Sequence, residues 1–276
     1  MRSVAATTLF AILTLALWAC APDSVTPDPA SESAQPTIAL IGATSRSGRE
    51  IIRLALEQGY RVKGLARTPS KLGVEHENLT LFKGDVRDQA SLEAMLDGDE
   101  VVVSMVGYNT PVDPLAEVGE VDIYTVMAKN LIGAMRAKGN RRLLIASSTG
   151  VEHRVALDSE RPDPKDYSAS WRWNARHLYN DMYLMEEMVA ASGLEYILLR
   201  PGFMVQEPAR GDMKVDTAGA TPPARVITYA DFAAFILANL ADSDYLNQAV
   251  GLYSDTAVNP AAELEKVLGK PPGSMQ

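Results

Sequence analysis

The chain has a single cysteine, Cys20, and only three histidines, His76, His153 and His177, which lie far apart. A lone thiol excludes an internal disulfide framework, and with so few sulfur and imidazole ligands no metal-ligand cluster can be read, so a metal enzyme is not expected. A basic surplus is also missing. The formal net charge is −9, and residues 1–19 carry Arg2 as their only charge, so the remainder is more acidic still. Such a chain is not expected to bind nucleic acid non-specifically. The N-terminal apolar stretch, Ser3 to Ala19, is too short for a comfortable transmembrane span. What is present is ordinary globular composition, 47% hydrophobic and 22% charged, which suffices for one domain with a sizeable core.

Arg2 followed by an uncharged stretch rich in Leu and Ala has the form of a signal-peptide core. It ends Leu17-Trp18-Ala19-Cys20, which resembles the bacterial lipoprotein cleavage box, a leucine and a small residue ahead of the cysteine that is lipidated. Trp18 departs from that pattern, so ordinary signal-peptidase cleavage, an uncleaved anchor and a merely buried Cys20 stay open. Ala21 to Pro36 then carries Pro22, Pro27, Pro29 and Pro36 among Ser, Asp and Glu and reads as a tether. The expected layout is a signal peptide over 1–19, a tether over 20–36 and one domain over 37–276. Arg2 before the apolar run, with Asp23, Asp28 and Glu32 after it, favours translocation of the downstream chain. That places the domain in the cell envelope, lipid-anchored and facing the periplasm.

The domain opens with the strand-like Thr37-Ile38-Ala39-Leu40-Ile41, then Gly42-Ala43-Thr44-Ser45-Arg46-Ser47-Gly48, then an amphipathic helix over Arg49–Gln58 that closes at Gly59. A strand, a glycine turn and a helix in that order build a phosphate site. Gly42 lets the chain turn sharply, and Gly48 lets the helix start close to the sheet with its N–H groups aimed at an anion. The middle glycine of the usual G-x-x-G-x-x-G is Ser45, which brings a hydroxyl. The second strand, Tyr60–Ala66, ends on Arg67, where a dinucleotide-binding fold reads the adenosine ribose. An acid there would accept from a 2′-hydroxyl; a guanidinium suits a 2′-phosphate, so NADP(H) is expected in preference to NAD(H). Arg46 either reinforces that choice or is a solvated surface charge.

Strands recur at Leu79–Phe82, Glu100–Val106, Arg142–Ala146 and up to Arg200-Pro201-Gly202, with helices at Ser91–Leu96, Val121–Lys138 and Asn174–Ala191 between them. This alternation predicts an α/β fold, a doubly wound parallel sheet. Asp85, just past a strand end, is placed either to accept from the adenine amino group or to cap the next helix. Ser104 and Gly107 stand at the crevice edge, where the nicotinamide ribose passes, and Ser147 arrives at the same edge. Backbone groups at Arg200 are placed to touch the nicotinamide amide. Val151–Arg176, with Trp171 and Trp173, and Glu207–Ala224 read as loops facing the substrate; the tryptophans either stack on a flat substrate or pin the loop to the core.

Ile41-Gly42-Ala43-Thr44…Gly48, Leu65-Ala66-Arg67…Pro69…Lys71-Leu72, Gly84-Asp85-Val86…Asp88, Ile145-Ala146-Ser147-Ser148, Ser192-Gly193-Leu194-Glu195-Tyr196…Leu199-Arg200-Pro201-Gly202 and Thr228-Tyr229-Ala230-Asp231-Phe232-Ala233 together resemble the atypical short-chain dehydrogenase/reductase proteins with an NAD(P)H-binding domain. The resemblance spans residues 37 to about 253. It implies a Rossmann-like fold and a group that includes flavin reductases that also reduce biliverdin, quinone reductases, and NADP-binding sensors related to the nitrogen metabolite repressor.

Typical members use Tyr-x-x-x-Lys, the lysine lowering the tyrosine pKa; here the position where the lysine would help Tyr179 is Tyr183 or Met182. A phenol without a cationic neighbour is a poor base at neutral pH, so alcohol dehydrogenation is not expected. Hydride transfer to a planar acceptor such as a flavin or quinone asks mainly for alignment. Gly42, Thr44, Ser45, Arg46 and Gly48 are expected on the pyrophosphate and Ser147 is the expected catalytic residue, with Tyr179 and His177 as alternatives. Export without paired arginines means that no cofactor travels with the chain. A reductase, a ligand-binding sensor without turnover and a scaffold all remain compatible with the sequence.

Overall fold

The structure, a computed structural model, describes residues 35–108, 116–163, 165–222 and 225–255. The signal segment, Cys20 and the tether up to residue 34 lie outside the described residues, as does 256–276. The described part is an α/β domain around one eight-stranded sheet. Its parallel strands are β1 (Ile38–Ile41), β2 (Val62–Ala66), β3 (Leu79–Lys83), β4 (Val101–Ser104), β5 (Arg142–Ala146) and β6 (Glu195–Pro201), in the spatial order β3-β2-β1-β4-β5-β6. The sheet is completed by two further strands, β10 (Gln248–Ser254), parallel to β6, and β8 (Met213–Asp216), antiparallel to β10. A small separate pair joins β7 (Phe203–Val205) to β9 (Val226–Thr228).

Buried parallel strands carry apolar residues on both faces because helices cover both. Ile38 and Leu40 face the layer of α1 (Arg46–Glu57) and α6 (Tyr229–Ala238), together with Ile51, Ile52, Phe232 and Ile236. Ala39 and Ile41 face the other layer, where α2 (Gln89–Glu93), α3 (Ile123–Lys138) and α5 (Arg176–Ala190) pack through Leu92, Met127, Leu131, Leu178 and Met185. Two stretches expected to be loops contain regular structure. Val151–Arg176 holds the end of a 3₁₀ turn, Thr149–His153, and a helix, α4 (Tyr167–Asn174). Glu207–Ala224 contains β8, which borrows β10 for its ladder.

Where the strand order reverses, between β1 and β4, the loops leaving the two strands touch: a Cβ on Gly42 would lie 2.7 Å from the Met105 carbonyl oxygen. This is the switch point at which open α/β sheets bind ligands. At the opposite end of β4, Glu100 is buried. Its carboxylate accepts from the N–H groups of Asp97 and Gly98, from Asn140 Nδ2 and from the Lys63 ammonium. Burial pushes its pKa up, but the Lys63 and Asn140 donors outweigh that and leave it at about 2.

Candidate nucleotide site

The turn after β1 is shaped so that a side chain would break it at two points. Gly42 has φ +84°, and a Cβ on Gly48 would meet the Gly42 carbonyl oxygen at 2.3 Å. Gly42 and Ala43 donate to the Leu65 carbonyl, and Ser45 caps α1, its Oγ accepting from the Gly48 N–H at 2.9 Å. Ser45 therefore serves as the helix cap, a role for which a hydroxyl suits better than the glycine it replaces. The N–H groups of Thr44, Arg46 and Ser47 have no acceptor among the described residues. Open donors at the positive end of a twelve-residue helix form a cradle for an anion. A dinucleotide pyrophosphate fits that donor set.

A second element adds positive charge beside it. Arg67, immediately after β2, is exposed, as are Arg46 and Lys71. Arg46, Arg49, Arg67 and Lys71 have no ion pair among the described residues. In a chain of net charge −9, four cations without carboxylate partners at one corner of the sheet form an anion-attracting surface. Asp85 accepts from the Arg87 N–H at 2.9 Å and closes a turn, whereas the α2 cap is Asp88, which accepts from Ala90 N–H at 3.1 Å. The cap reading of Asp85 is thereby removed, and its half-buried carboxylate stays at the end of β3.

The expectations for the nicotinamide side divide. Gly107 lies exposed, with no atom of the described residues within 4 Å of its would-be Cβ. Ser104 is corrected: it is completely buried, and its hydroxyl contacts Met127 Sδ at 3.6 Å beneath α3 rather than lining the crevice. The Arg200 side chain is used inside the fold, bidentate to Glu186 at 2.6 and 2.9 Å and 3.6 Å from Glu152, so only its backbone is left to meet a ligand. Two contacts were not read from sequence. Ser47 Oγ reaches Met204 Sδ at 3.7 Å, which brings β7 up to the phosphate turn. The Asp181 carboxylate on α5 accepts from the N–H groups of Tyr124 and Thr125 and caps α3 from another helix.

Ser147 follows directly after β5, its backbone N–H donating to the Leu199 carbonyl at 2.7 Å, but its buried Oγ has no hydrogen-bond partner among the described residues. Buried hydroxyls are normally satisfied, so this one marks a place where a bound group can complete the bonding. Tyr179 is buried against Gly150, where a Cβ would overlap its ring, and under Trp171 at 5.8 Å. Burial, with Tyr124 nearby, drives its pKa well above the ordinary phenol value, while Ser148 pulls weakly the other way. The phenol therefore stays protonated at neutral pH and is not a base. In place of the lysine stands Tyr183, whose ring is covered by the Arg154 guanidinium at 3.5 Å. His177 is half-buried on α5, turned off the stripe of core-facing residues. Trp173 donates to the Ser159 carbonyl and stacks under Arg176, so it pins its segment to the fold.

The model of a protein family described as NAD(P)H-binding matches residues 42–243. The chain belongs to that NAD(P)H-binding family. The matched span runs from the phosphate-turn glycine to just beyond α6 and so includes every site residue named here except those of the N-terminal segment. Among characterised relatives, reductase pytE of Aspergillus terreus is 26% identical over 79% of this chain and 98% of its own length. Two solved structures share the fold. One is a short-chain dehydrogenase/reductase from Veillonella parvula in complex with NADP, at 16% identity, TM-score 0.60, covering 82% of this chain and 97% of the other. The second is ChuY, an anaerobillin reductase from Escherichia coli O157:H7, at 19% identity, TM-score 0.58, covering 81% and 99%. Among the described residues no group of His, Cys, Asp and Glu is placed to hold a metal ion, and no helix is long and apolar enough to cross a membrane.

Proposed function

We propose that the chain binds NADP(H) in preference to NAD(H) and passes hydride to a planar acceptor such as a flavin or quinone. The observation that carries this reading is the open N–H cradle at the start of α1 beside four cations that have no carboxylate partner among the described residues. The pyrophosphate sits on Thr44, Arg46 and Ser47, Arg67 meets the 2′-phosphate, and Asp85 reaches the adenine. Family membership, the reductase among its relatives and the NADP-bound neighbour support the same reading. When bound, the reduced nicotinamide supplies the hydride. The protein's own contribution is alignment by the crevice and one hydroxyl, Ser147, free to orient or protonate the acceptor. Tyr179, held protonated by its burial, is the alternative as a hydrogen-bond donor that orients the acceptor.

The domain is placed outside the cytoplasm by a lipid on Cys20 and the tether beyond it, supported by the Leu17-Trp18-Ala19-Cys20 box. Loss of labelled fatty acid from Cys20→Ser, with retention in the native chain, tests the anchor. For the nucleotide, the full-length chain is titrated with NADPH and NADH, following nucleotide fluorescence. NADPH-selective binding and turnover with flavins or quinones are expected. Selective binding without turnover on any acceptor favours a sensor, and no binding at millimolar nucleotide overturns the reading. Arg67→Asp should weaken NADPH far more than NADH; equal effects remove the 2′-phosphate assignment.

A further inference from the structure

Arg67 lies on a short exposed segment, and an exposed segment after a strand holds a charge in place only if something ties it down. Three features do so here. Pro69–Lys71 form a single 3₁₀ turn, closed by the Lys71 N–H on the Thr68 carbonyl and the Leu72 N–H on the Pro69 carbonyl. Leu72 is buried in the layer between α1 and the sheet. The carbonyls of Lys71 and Leu72, left over at the end of the turn, are both taken by one side chain. Arg49 on α1 donates through Nη1 to the Leu72 oxygen at 2.9 Å and through Nη2 to the Lys71 oxygen.

Arg49 stands one residue past Gly48, in the first turn of the helix whose N–H groups form the anion cradle. Its guanidinium therefore joins the two halves of the proposed nucleotide site. One half binds the pyrophosphate; the other carries Arg67. Two adjacent carbonyls taken by one planar fork is a geometry that arginine satisfies and lysine does not. Arg49 has no carboxylate partner among the described residues, so the fork is not held by an acid of its own helix, unlike Arg53, which pairs with Glu50 and Glu57.

We infer that Arg49 is a positioning residue for nucleotide selectivity: by clamping the turn after Arg67 to the phosphate helix, it sets where the 2′-phosphate is met. This rests on the NADPH reading above. NADH carries only an uncharged hydroxyl at that place, so the clamp contributes to NADPH affinity and little to NADH affinity.

The test measures dissociation constants of NADPH and NADH for the full-length native chain, Arg49→Gln, Arg49→Lys, Arg67→Ala and the double variant Arg49→Gln/Arg67→Ala, with thermal melting alongside. Arg49→Gln should lower the NADPH-over-NADH preference by about tenfold, of the size of one charge-assisted hydrogen bond, with Arg49→Lys in between. In the Arg67→Ala background Arg49→Gln should change the preference no further, because the two residues act through one another. An unchanged preference in Arg49→Gln, an equal weakening of both nucleotides, or full additivity with Arg67→Ala overturns the inference while leaving the NADPH reading intact. A native chain that binds neither nucleotide overturns both. If Arg49→Gln does not fold, Arg49→Lys decides: a native-like preference with one carbonyl released refutes the clamp.

Discussion

Gly48→Ala sets two opposed effects against each other at the phosphate turn. Gly48 is the third residue of α1, and alanine in a helix is favoured over glycine by up to about 1 kcal/mol. Against this, the new Cβ would stand 2.3 Å from the Gly42 oxygen and 3.1 Å from both Cα and the carbonyl carbon of Ala43. All three are backbone atoms. The Gly42 oxygen cannot retreat, because it accepts from the Ser45 N–H at 2.9 Å and its residue is fixed by the Leu65 carbonyl. Overpacking against backbone costs about 1–3 kcal/mol or more, so the clash wins over helix propensity. A net loss of about 2 kcal/mol lowers the melting temperature by roughly 4–8 °C in a domain of this size. The displaced turn also carries the open N–H groups of Thr44, Arg46 and Ser47, so affinity for NADPH and NADH should fall together by at least about tenfold. Differential scanning fluorimetry and nucleotide titration of the folded variant check both effects. A variant that melts at or above the native temperature and keeps its nucleotide affinity refutes the close approach of helix and strand on which the site is built.

Glu100 has its pKa held at about 2 against an ordinary 4.5. A depressed carboxylate stabilises the fold fully above 4.5 and loses that contribution as pH falls toward 2, up to about 3 kcal/mol in all. Urea melts of native and Glu100→Gln between pH 7 and pH 2.5 should therefore converge in acid, whereas a constant gap would show that the carboxylate is not the titrating group. Ser147→Ala removes a buried hydroxyl that has no partner among the described residues, so its melting temperature should stay level or rise while turnover drops about a hundredfold; destabilisation with unchanged turnover would reverse both assignments. Ser45→Ala takes away the α1 cap and should cost about 0.5–2 kcal/mol in chemical denaturation, while a neutral result would mean that water replaces the cap.

The β1–turn–α1 unit was legible because glycines punctuate it and its helix repeats apolar residues at 3.6-residue spacing. Ser104 was not. Strands covered on both faces lose the inside-outside alternation, so nothing in Val101–Ser104 shows that the hydroxyl turns under α3 toward Met127 instead of into the crevice. Helix α4 was hidden behind Pro162 and Pro164 and is weakly amphipathic, while β8 exists only because β10, encoded some thirty residues later, provides its partner. Asp181 capping α3 is a contact across 57 positions, invisible to any local pattern. Glu152, Glu186 and Arg200 look like surface charges in sequence and become interior ones only when the turn after β5, α5 and β6 meet.

Those three residues form one interlocked unit. Glu186 and Glu152 are each 4% exposed and share the Arg200 guanidinium, and Glu152 also accepts from the Thr221 N–H. Losing one partner of a buried ion pair costs about 3–5 kcal/mol, a large fraction of the stability of an ordinary domain. A lineage that replaced Arg200 alone would leave two carboxylates facing each other in the interior, and one that replaced a single acid would loosen the segment joined to it. Exposed positions such as Trp171 and Leu157 can thus diversify one at a time, whereas this buried charged triad changes in concert or not at all.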